Sequence, residues 1–445
     1  KIQVTKKGKY ELLDNKKYKT GKLSVNERGF GFIKVEGEED EIYVSGRNKG
    51  NALNGDNVLV EIIEDSSKNG HKEGKIIKTL THEKDTLVGI FELSRNFGFV
   101  VPDDKKFGSD IFISKKNFGG AKNKEKVVVK LTKYPEKGRK AEGKITEVLG
   151  NVDMAGMDML SLIKEYDLPY EFPEEVIKEA KATETSISDE ELKNRLDLRS
   201  KIIFTIDGED AKDLDDAISL KKLANGNYQL GVHIADVSYY VTEGSPLDKE
   251  AVKRGTSIYL VDRVIPMLPH KLSNGICSLN PNTDRYTISC TMEIDKNGEV
   301  VNHDIQPTVI HSSYRMTYNN VNKILDGDVH VQQQYQEVVP LFFLMQELAL
   351  LLRSKRDERG AIDFDVNEAK VLVDDKGKPI DIVPRTRGAS DKIIEEFMLR
   401  ANETVAQHFK WMDLPFIYRV HEHPKLKKLQ QFVSIVKPLG YTIKG

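Results

Sequence analysis

The sequence predicts a multidomain chain: two small all-β barrels in tandem, a helical connector, and a larger domain that mixes strands with helices. Three observations carry this prediction. A block near the N-terminus recurs at a spacing of about 68 residues, the mark of an internal repeat. The ten residues from Asp207 to Asp216 hold six carboxylates between two apolar runs. Charge is also divided, with about 31 basic against 23 acidic side chains in residues 1–150 and about 37 against 47 in the remainder, behind a net charge of -2.

At 445 residues the chain is too long for one typical domain, and 39% hydrophobic content is enough for real cores. No run of 18 apolar residues and no signal-peptide pattern occurs, so nothing points to a membrane or to export. Cys277 and Cys290 cannot make a disulfide framework and read as buried thiols, which makes a cytoplasmic protein the simplest expectation. The chain opens at Lys1 without a Met and closes at Gly445, just after a helical-looking stretch from Pro424 to Val436. The expectation is a part of a longer protein.

In the front half, Gly21-Lys-Leu, Gly29-Phe30-Gly31-Phe32-Ile33 and Ile42-Tyr43-Val44-Ser45 recur as Gly89-Ile-Phe, Asn96-Phe97-Gly98-Phe99-Val100 and Ile111-Phe112-Ile113-Ser114. Glu73-Gly-Lys-Ile76 likewise matches Glu142-Gly-Lys-Ile145. Short strands with Gly and Asn turns argue for all-β barrels. Aromatics two apart project from one strand face, so Phe30 and Phe32 with Tyr43, and Phe97 and Phe99 with Phe112, are candidate platforms for base stacking. The competing reading has these rings filling barrel cores. The motifs resemble those of cold-shock domains, a branch of the OB fold, and the resemblance implies binding of single-stranded RNA or DNA. Lysines between Lys105 and Lys144 would add phosphate contacts without base specificity.

From Gly150 to Lys201 the pattern turns helical, with candidate helices at Ser161 to Tyr166 and Pro173 to Ala182. A capping box, Ser188-Asp-Glu-Glu191, opens a helix toward Leu198.

Ile202 to Ile206 then reads as a buried strand and Ala217 to Leu220 as the start of another, which puts the carboxylates at a strand end. Two like charges about 4 Å apart repel by roughly 1 kcal/mol in water and about 4 kcal/mol at a protein-surface dielectric. Lys212, the only basic residue inside the run, cannot neutralise Asp207, Asp213, Asp215 and Asp216 together. A hard divalent cation can, and all-oxygen ligation favours Mg²⁺, whereas the lack of neighbouring Cys or His in the sequence argues against zinc. No EF-hand register fits. A solvated acidic turn is the bland alternative. Gly231 to Ser238 reads as another strand, in which His233 is expected to be a hydrogen-bonded structural residue.

Ile206 to Ala217, taken with His233-Ile-Ala-Asp-Val-Ser238, closely resembles the RNB catalytic domain of the RNase II and RNase R exoribonucleases, and the second segment looks more like the RNase R branch. Tandem cold-shock domains ahead of such a domain are also a family trait. The resemblance implies two OB-type cold-shock barrels followed by an α+β RNB domain, incomplete here because members continue past the equivalent of Gly445. It divides the chain into 1–19 as the tail of an N-terminal region, 20–82 and 85–149 as cold-shock domains, 150–200 as connector and 201–445 as the truncated catalytic domain. By the same resemblance Asp207, Asp213, Asp215 and Asp216 are the metal-site carboxylates, with Asp215 the least replaceable. Tyr259 and Phe364 match aromatics that clamp terminal bases, Tyr318 a base-contacting tyrosine, and Glu395 a contact to the last nucleotides.

The implied activity is processive hydrolytic 3′→5′ degradation of RNA to 5′-mononucleotides with Mg²⁺, or Mn²⁺ in its place. The substrate would be single-stranded RNA or the 3′ tail of a structured RNA. A monomer is expected, and ribosome association is compatible with such an enzyme. The rival is a non-catalytic RNA chaperone or ribosome-associated binder, against which the intact aspartate set argues. The segment alone is expected to be inactive or poorly folded at its C-terminal edge.

Overall fold

A computed structural model of the chain describes residues 2–4, 10–12, 17–38, 40–64, 72–135, 139–362, 368–374 and 377–443. The chain divides into two compact units, one of Lys1–Glu174, Glu250–Met267 and Glu368–Arg385, the other of Glu175–Lys249, Leu268–Asn367 and Thr386–Gly445.

The first unit opens with a short antiparallel pair, β1 (Ile2–Val4) and β2 (Tyr10–Leu12). Then come two closed five-stranded barrels. The first contains β3 (Tyr18–Val25), β4 (Gly31–Val35), β5 (Ile42–Val44), β6 (Asn57–Glu64) and β7 (Lys72–Thr81) in the closed order β3-β4-β5-β7-β6. The second repeats that order with β8 (Thr86–Leu93), β9 (Phe97–Pro102), β10 (Ile111–Ser114), β12 (Glu142–Asn151) and β11 (Glu125–Lys133). In both, the third and fifth strands pair in parallel and the other neighbours are antiparallel.

The repeated glycines have a steric cause. A Cβ on Gly21 would lie 2.4 Å from the Lys34 carbonyl oxygen, and one on its counterpart Gly89 would lie 2.3 Å from that of Val101. A Cβ on Gly98 would sit 2.4 Å from the Phe91 ring. Leu23, Ile33, Val44 and Val58 fill the first barrel, and Phe91, Val100, Ile113 and Val129 the second.

The barrels are joined through side chains as well as through the connecting residues. Leu53, from the loop before β6, belongs to the core of the second barrel. The His82 ring, just after β7, stacks on Tyr134 at a centroid distance of 3.5 Å and contacts the buried Asp56 carboxylate through Nδ1 at 2.9 Å. Helix α1 (Met157–Glu165) follows the second barrel.

Later segments complete this unit: the end of α5 (Pro246–Arg254), the hairpin of β17 (Ile258–Tyr259) with β18 (Val264–Ile265), and that of β21 (Glu368–Val373) with β22 (Pro379–Arg385).

The second unit begins with α2 (Glu174–Ala182) and α3 (Asp189–Asn194). Ser188 caps α3 as its sequence predicts, accepting from the Glu191 N–H at 3.2 Å. The helix ends at Asn194 and does not reach Leu198. Arg195 is extended there, and β13 (Leu196–Asp197) pairs in parallel with β20 (Val300–Thr317), so a sheet edge overrides the helical pattern.

The sheet of this unit runs β13, β20, β14 (Ile203–Asp207), β15 (Asp216–Lys222), β16 (Tyr228–Ala235), β19 (Asp284–Ile294), and β19 also pairs with β20. Strand β20 changes partner along its length: it pairs with β19 up to His311, and with β14 in parallel from Ser312 to Thr317. The strand read from Gly231 to Ser238 stops at Ala235, because the Asp236 side chain caps the turn α4 (Val237–Tyr240). Ile202, read as part of a buried strand, lies exposed just before β14.

A helical layer of α6 (Tyr318–Leu325), α8 (Val339–Glu358) and α9 (Ala389–Trp411) covers the sheet, with the short α7 (Val329–Gln334) between the first two. Phe204, Ile218, Val232 and Met292 of the strands pack with Phe342, Met345 and Leu348 of α8 and Ile393 and Phe397 of α9. Burying each such side chain contributes roughly 1.5–3 kcal/mol, so this apolar wall fixes the strand ends firmly. Helix α10 (Leu426–Val436) lies where the sequence places it. Among the described residues no helix is long and apolar enough to cross a membrane.

Candidate active site

The carboxylates stand where β14 ends and β15 begins. Ile203 to Ile206 are buried, so β14 is anchored up to its last residue, Asp207, and Asp216 opens the next strand. The loop between them is held from both sides. Nη2 of Arg315 donates to the Glu209 carbonyl at 2.9 Å and the Ala211 carbonyl at 2.7 Å, while Asn319 Nδ2 donates to Glu209 Oε1 at 2.8 Å. On the other side the fully buried Ser278 hydroxyl accepts from the Leu214 N–H at 3.1 Å and donates to the Lys212 carbonyl at 3.0 Å. Leu214 is itself buried, and its carbonyl accepts from Leu279 N–H at 2.8 Å. The loop has no regular structure, yet it is anchored.

Its electrostatics are those of crowded acids. Burial pushes Asp207 up to about 7, with Asp216 adding to the rise, Arg315 opposing it, and Asp215 and Asp213 adding further. Asp215 is raised to about 6 by burial of its carboxyl and then by Asp213 and Asp216; it is exposed as a residue, so solvent screens part of this. Burial raises Asp216. Oδ2 of Asp207 is buried without a hydrogen-bond partner among the described residues.

An orphaned, desolvated carboxylate oxygen within electrostatic reach of three further carboxylates is chemistry that suits a hard divalent cation. No three His, Cys, Asp or Glu side chains among the described residues are gathered as a ready cluster for a metal. Two expectations change here. Positive charge reaches the loop from Arg315 on β20, not from Lys212 alone. Cys277, distant in sequence, comes within electrostatic reach of Asp215, and burial and that charge push its thiol up to about 12, which favours the neutral form.

His233 is structural, as expected. Its ring is buried between Ser219 Oγ at 3.0 Å and Ser289 Oγ at 2.6 Å, and burial pushes it down to about 3.

Tyr318 follows Thr317, the β20 residue paired with Asp207, so its backbone lies beside the carboxylate end of β14. Its carbonyl accepts from Ser390 Oγ at 3.0 Å, which ties the start of α6 to that of α9. Glu395, on α9, is ion-paired to Arg356 at 3.2 Å and to Arg387. Tyr259 belongs to the other unit, where it is 66% exposed on its hairpin. Phe364 lies outside the described residues.

On the barrels, all six aromatics named from the sequence lie outside the cores: Tyr43 and Phe112 each stand between two buried aliphatics, and the pairs Phe30 and Phe32, Phe97 and Phe99 each flank a buried glycine. Phe32 pairs across strands with Tyr43, and Phe99 with Phe112, in the same register. Phe30, Phe32 and Tyr43 have centroids 5.6 to 6.0 Å apart, and Phe97, Phe99 and Phe112 have centroids 5.5 to 6.0 Å apart. The core-filling reading is thereby excluded. Lys140 Nζ lies 4.7 Å from the Phe99 centroid. Several lysines of that stretch are engaged within the barrel, such as Lys126 with Asp103 at 2.8 Å and Lys133 with Glu142 at 2.9 Å.

Comparison with known protein families finds the RNB domain over residues 195–443. The chain belongs to the RNB family. A cold shock domain matches residues 99–173 and a Ribonuclease B OB domain residues 21–79 of this RNB chain. Ribonuclease R 1 of Lactococcus lactis is 44% identical over 459 residues, covering 100% of this chain and 56% of that protein. Ribonuclease R of Thermotoga maritima is 46% identical over 441 residues, covering 98% and 62%. Among solved structures, Mycoplasma genitalium RNase R in complex with ribose methylated single-stranded RNA superposes with a TM-score of 0.86 at 28% identity, covering 95% of this chain and 66% of that one. The RNB chain described here thus spans between half and two thirds of each of these relatives.

Reading the sequence missed Arg315, Asn319 and Ser278. Arg315 lies three residues before Tyr318, which the resemblance marks, and Ser278 directly follows Cys277. The available signal was a lone arginine near the end of a long β run.

Proposed function

We propose that this chain carries the catalytic core of a hydrolytic 3′→5′ exoribonuclease that degrades RNA processively to 5′-mononucleotides, using a divalent cation held by Asp207, Asp213, Asp215 and Asp216. The observation that carries the reading is the buried Oδ2 of Asp207, without a hydrogen-bond partner among the described residues, amid carboxylates of raised proton affinity. Relatives named Ribonuclease R, and a neighbour solved with single-stranded RNA, support it. When bound, Mg²⁺, or Mn²⁺ in its place, would supply Lewis-acid stabilisation of the phosphoryl charge and acidify a water.

The protein's own contribution is placement. Arg315, Asn319 and Ser278 hold the carboxylate loop, while Glu395, steadied by Arg356 and Arg387, and Tyr318 are assigned to the terminal nucleotides. Tyr259 offers an open aromatic face for stacking, a role also assigned to Phe364. The ring triads at Phe30, Phe32 and Tyr43 and at Phe97, Phe99 and Phe112 are assigned to guiding single-stranded RNA or a 3′ tail, each stacked base being worth about 1–3 kcal/mol. Residues 20–82 and 85–149 would serve guidance, 150–200 connection and 201–445 catalysis. We further assign a monomeric, cytoplasmic protein, with which ribosome association is compatible.

The test is Asp215→Asn in the full-length protein, assayed on 3′-tailed RNA with Mg²⁺. Mononucleotide release is expected to fall by about 10²–10³-fold or more, the scale for losing an electrostatic stabiliser at the reacting centre, with RNA binding retained. Undiminished release would overturn the proposal.

A further inference from the structure

We propose that Arg315 is a positioning residue for the divalent cation, setting the spacing of the carboxylates by clamping the loop that joins Asp207 to Asp213. The inference rests on the metal reading above. It starts from where Arg315 stands. It lies on β20 two residues before Thr317, which pairs with Asp207, so one strand holds both the segment that carries Asp207 and the loop that follows it.

A single guanidinium nitrogen reaches two carbonyls, those of Glu209 and Ala211, which must converge for both bonds to form. Within the loop itself, the Ala211 N–H to Gly208 carbonyl turn at 3.2 Å is a longer contact. Asn319, in the first turn of the adjoining helix, fixes the Glu209 side chain and leaves the Ala211 carbonyl to Arg315. Ser278 secures the far half of the loop from another segment. Asp213 is therefore located by Arg315 on one side and by Ser278 on the other.

Arg315 is exposed, so the fold does not depend on its packing. Its work is confined to the loop and to the charge it sets against the acids. The planar, forked donors of arginine suit two convergent acceptors, and a lysine would keep the charge without that geometry. Partners that orient metal ligands without touching the metal typically account for about 10–100-fold in metal affinity.

The experiment measures Mn²⁺ binding by electron paramagnetic resonance on the full-length protein, unmodified and as Arg315→Met, Arg315→Lys and Asp215→Asn. Single-stranded RNA affinity is measured in parallel in chelator, and melting temperature is recorded. Arg315→Met is expected to weaken Mn²⁺ binding by about tenfold or more. Arg315→Lys should recover only part of that loss, while RNA affinity and melting temperature stay close to those of the unmodified protein. RNA degradation should be lost at limiting Mg²⁺ and restored at high Mg²⁺. Unchanged Mn²⁺ affinity in Arg315→Met would overturn the role of Arg315 while leaving the metal reading intact. Weakened RNA binding with unchanged Mn²⁺ binding would make Arg315 a substrate contact instead. If the unmodified protein binds no Mn²⁺, or Asp215→Asn binds it equally well, the metal reading itself fails and takes this role with it.

Discussion

The barrels and the carboxylate loop solve the same problem, presenting a few side chains in fixed geometry, by opposite means. On the barrels, strand alternation turns Phe97 and Phe99 outward, and cross-strand register brings Phe112 beside them. Local pattern suffices there. At the loop the carboxylates lie close together in sequence, but their placement depends on Arg315, Asn319 and Ser278, about 64 to 110 residues away. The barrels should thus tolerate loss of their display residues without unfolding, whereas the loop should lose geometry when distant residues change.

The strongest challenge to this contrast is to replace Phe97, Phe99 and Phe112 together with Ala. At about 1–3 kcal/mol per stacked base, affinity for single-stranded RNA should fall by roughly a hundredfold or more, with melting temperature little changed because the rings lie outside the core. A large drop in melting temperature would show that these rings hold the barrel rather than the RNA.

Next in size is Gly98→Val. Its side chain would drive into the Phe91 ring, an overpacking that costs about 1–3 kcal/mol, to be read as a lower urea midpoint at unchanged slope. Equal stability would mean that the glycine repeat has no steric origin.

Ser278→Ala tests the loop from a distance. It leaves the buried Leu214 N–H without its acceptor, a loss of about 1–3 kcal/mol, and the same variant should bind Mn²⁺ more weakly. Normal Mn²⁺ affinity would remove Ser278 from the holding set.

The smallest effect concerns pH. Asp207, at about 7, and Asp215, at about 6, hold protons more tightly when folded than the ordinary carboxylate value of about 3.9. The folded state then binds more protons than the unfolded one between about pH 4 and pH 7. Their contribution to stability therefore falls as pH rises through that window. In chelator, the protein should melt a few degrees lower at pH 8 than at pH 5, and Asp207→Asn, which cannot ionise, should narrow the gap. Identical pH dependence in the two proteins would refute this account of the loop.

The same contrast explains what the sequence made legible. The tandem barrels could be read because a period of two and steric glycines leave a repeated trace, and Phe30, Phe32 and Tyr43 share a face for that reason. The acidic cluster could be read because like charge between apolar strands is conspicuous, and the family resemblance narrowed its six carboxylates to four. Hydrogen bonds to main-chain carbonyls leave no such trace, since any loop offers those acceptors, so the sequence shows Arg315 only as a lone arginine near the end of a β run. The expected helix toward Leu198 failed on a similar point, because the pairing of Leu196 with Thr308 is decided by a strand more than a hundred residues later.

Leu53 carries a consequence of a different kind. A residue grown on the first barrel but seated in the core of the second makes the two copies of the repeat interdependent, whatever their common ancestry. Excising the second barrel alone would strip a wall from its interior, and excising the first would leave a bare leucine in water. The two barrels behave as one part, and proteolytic dissection should release both together or neither intact.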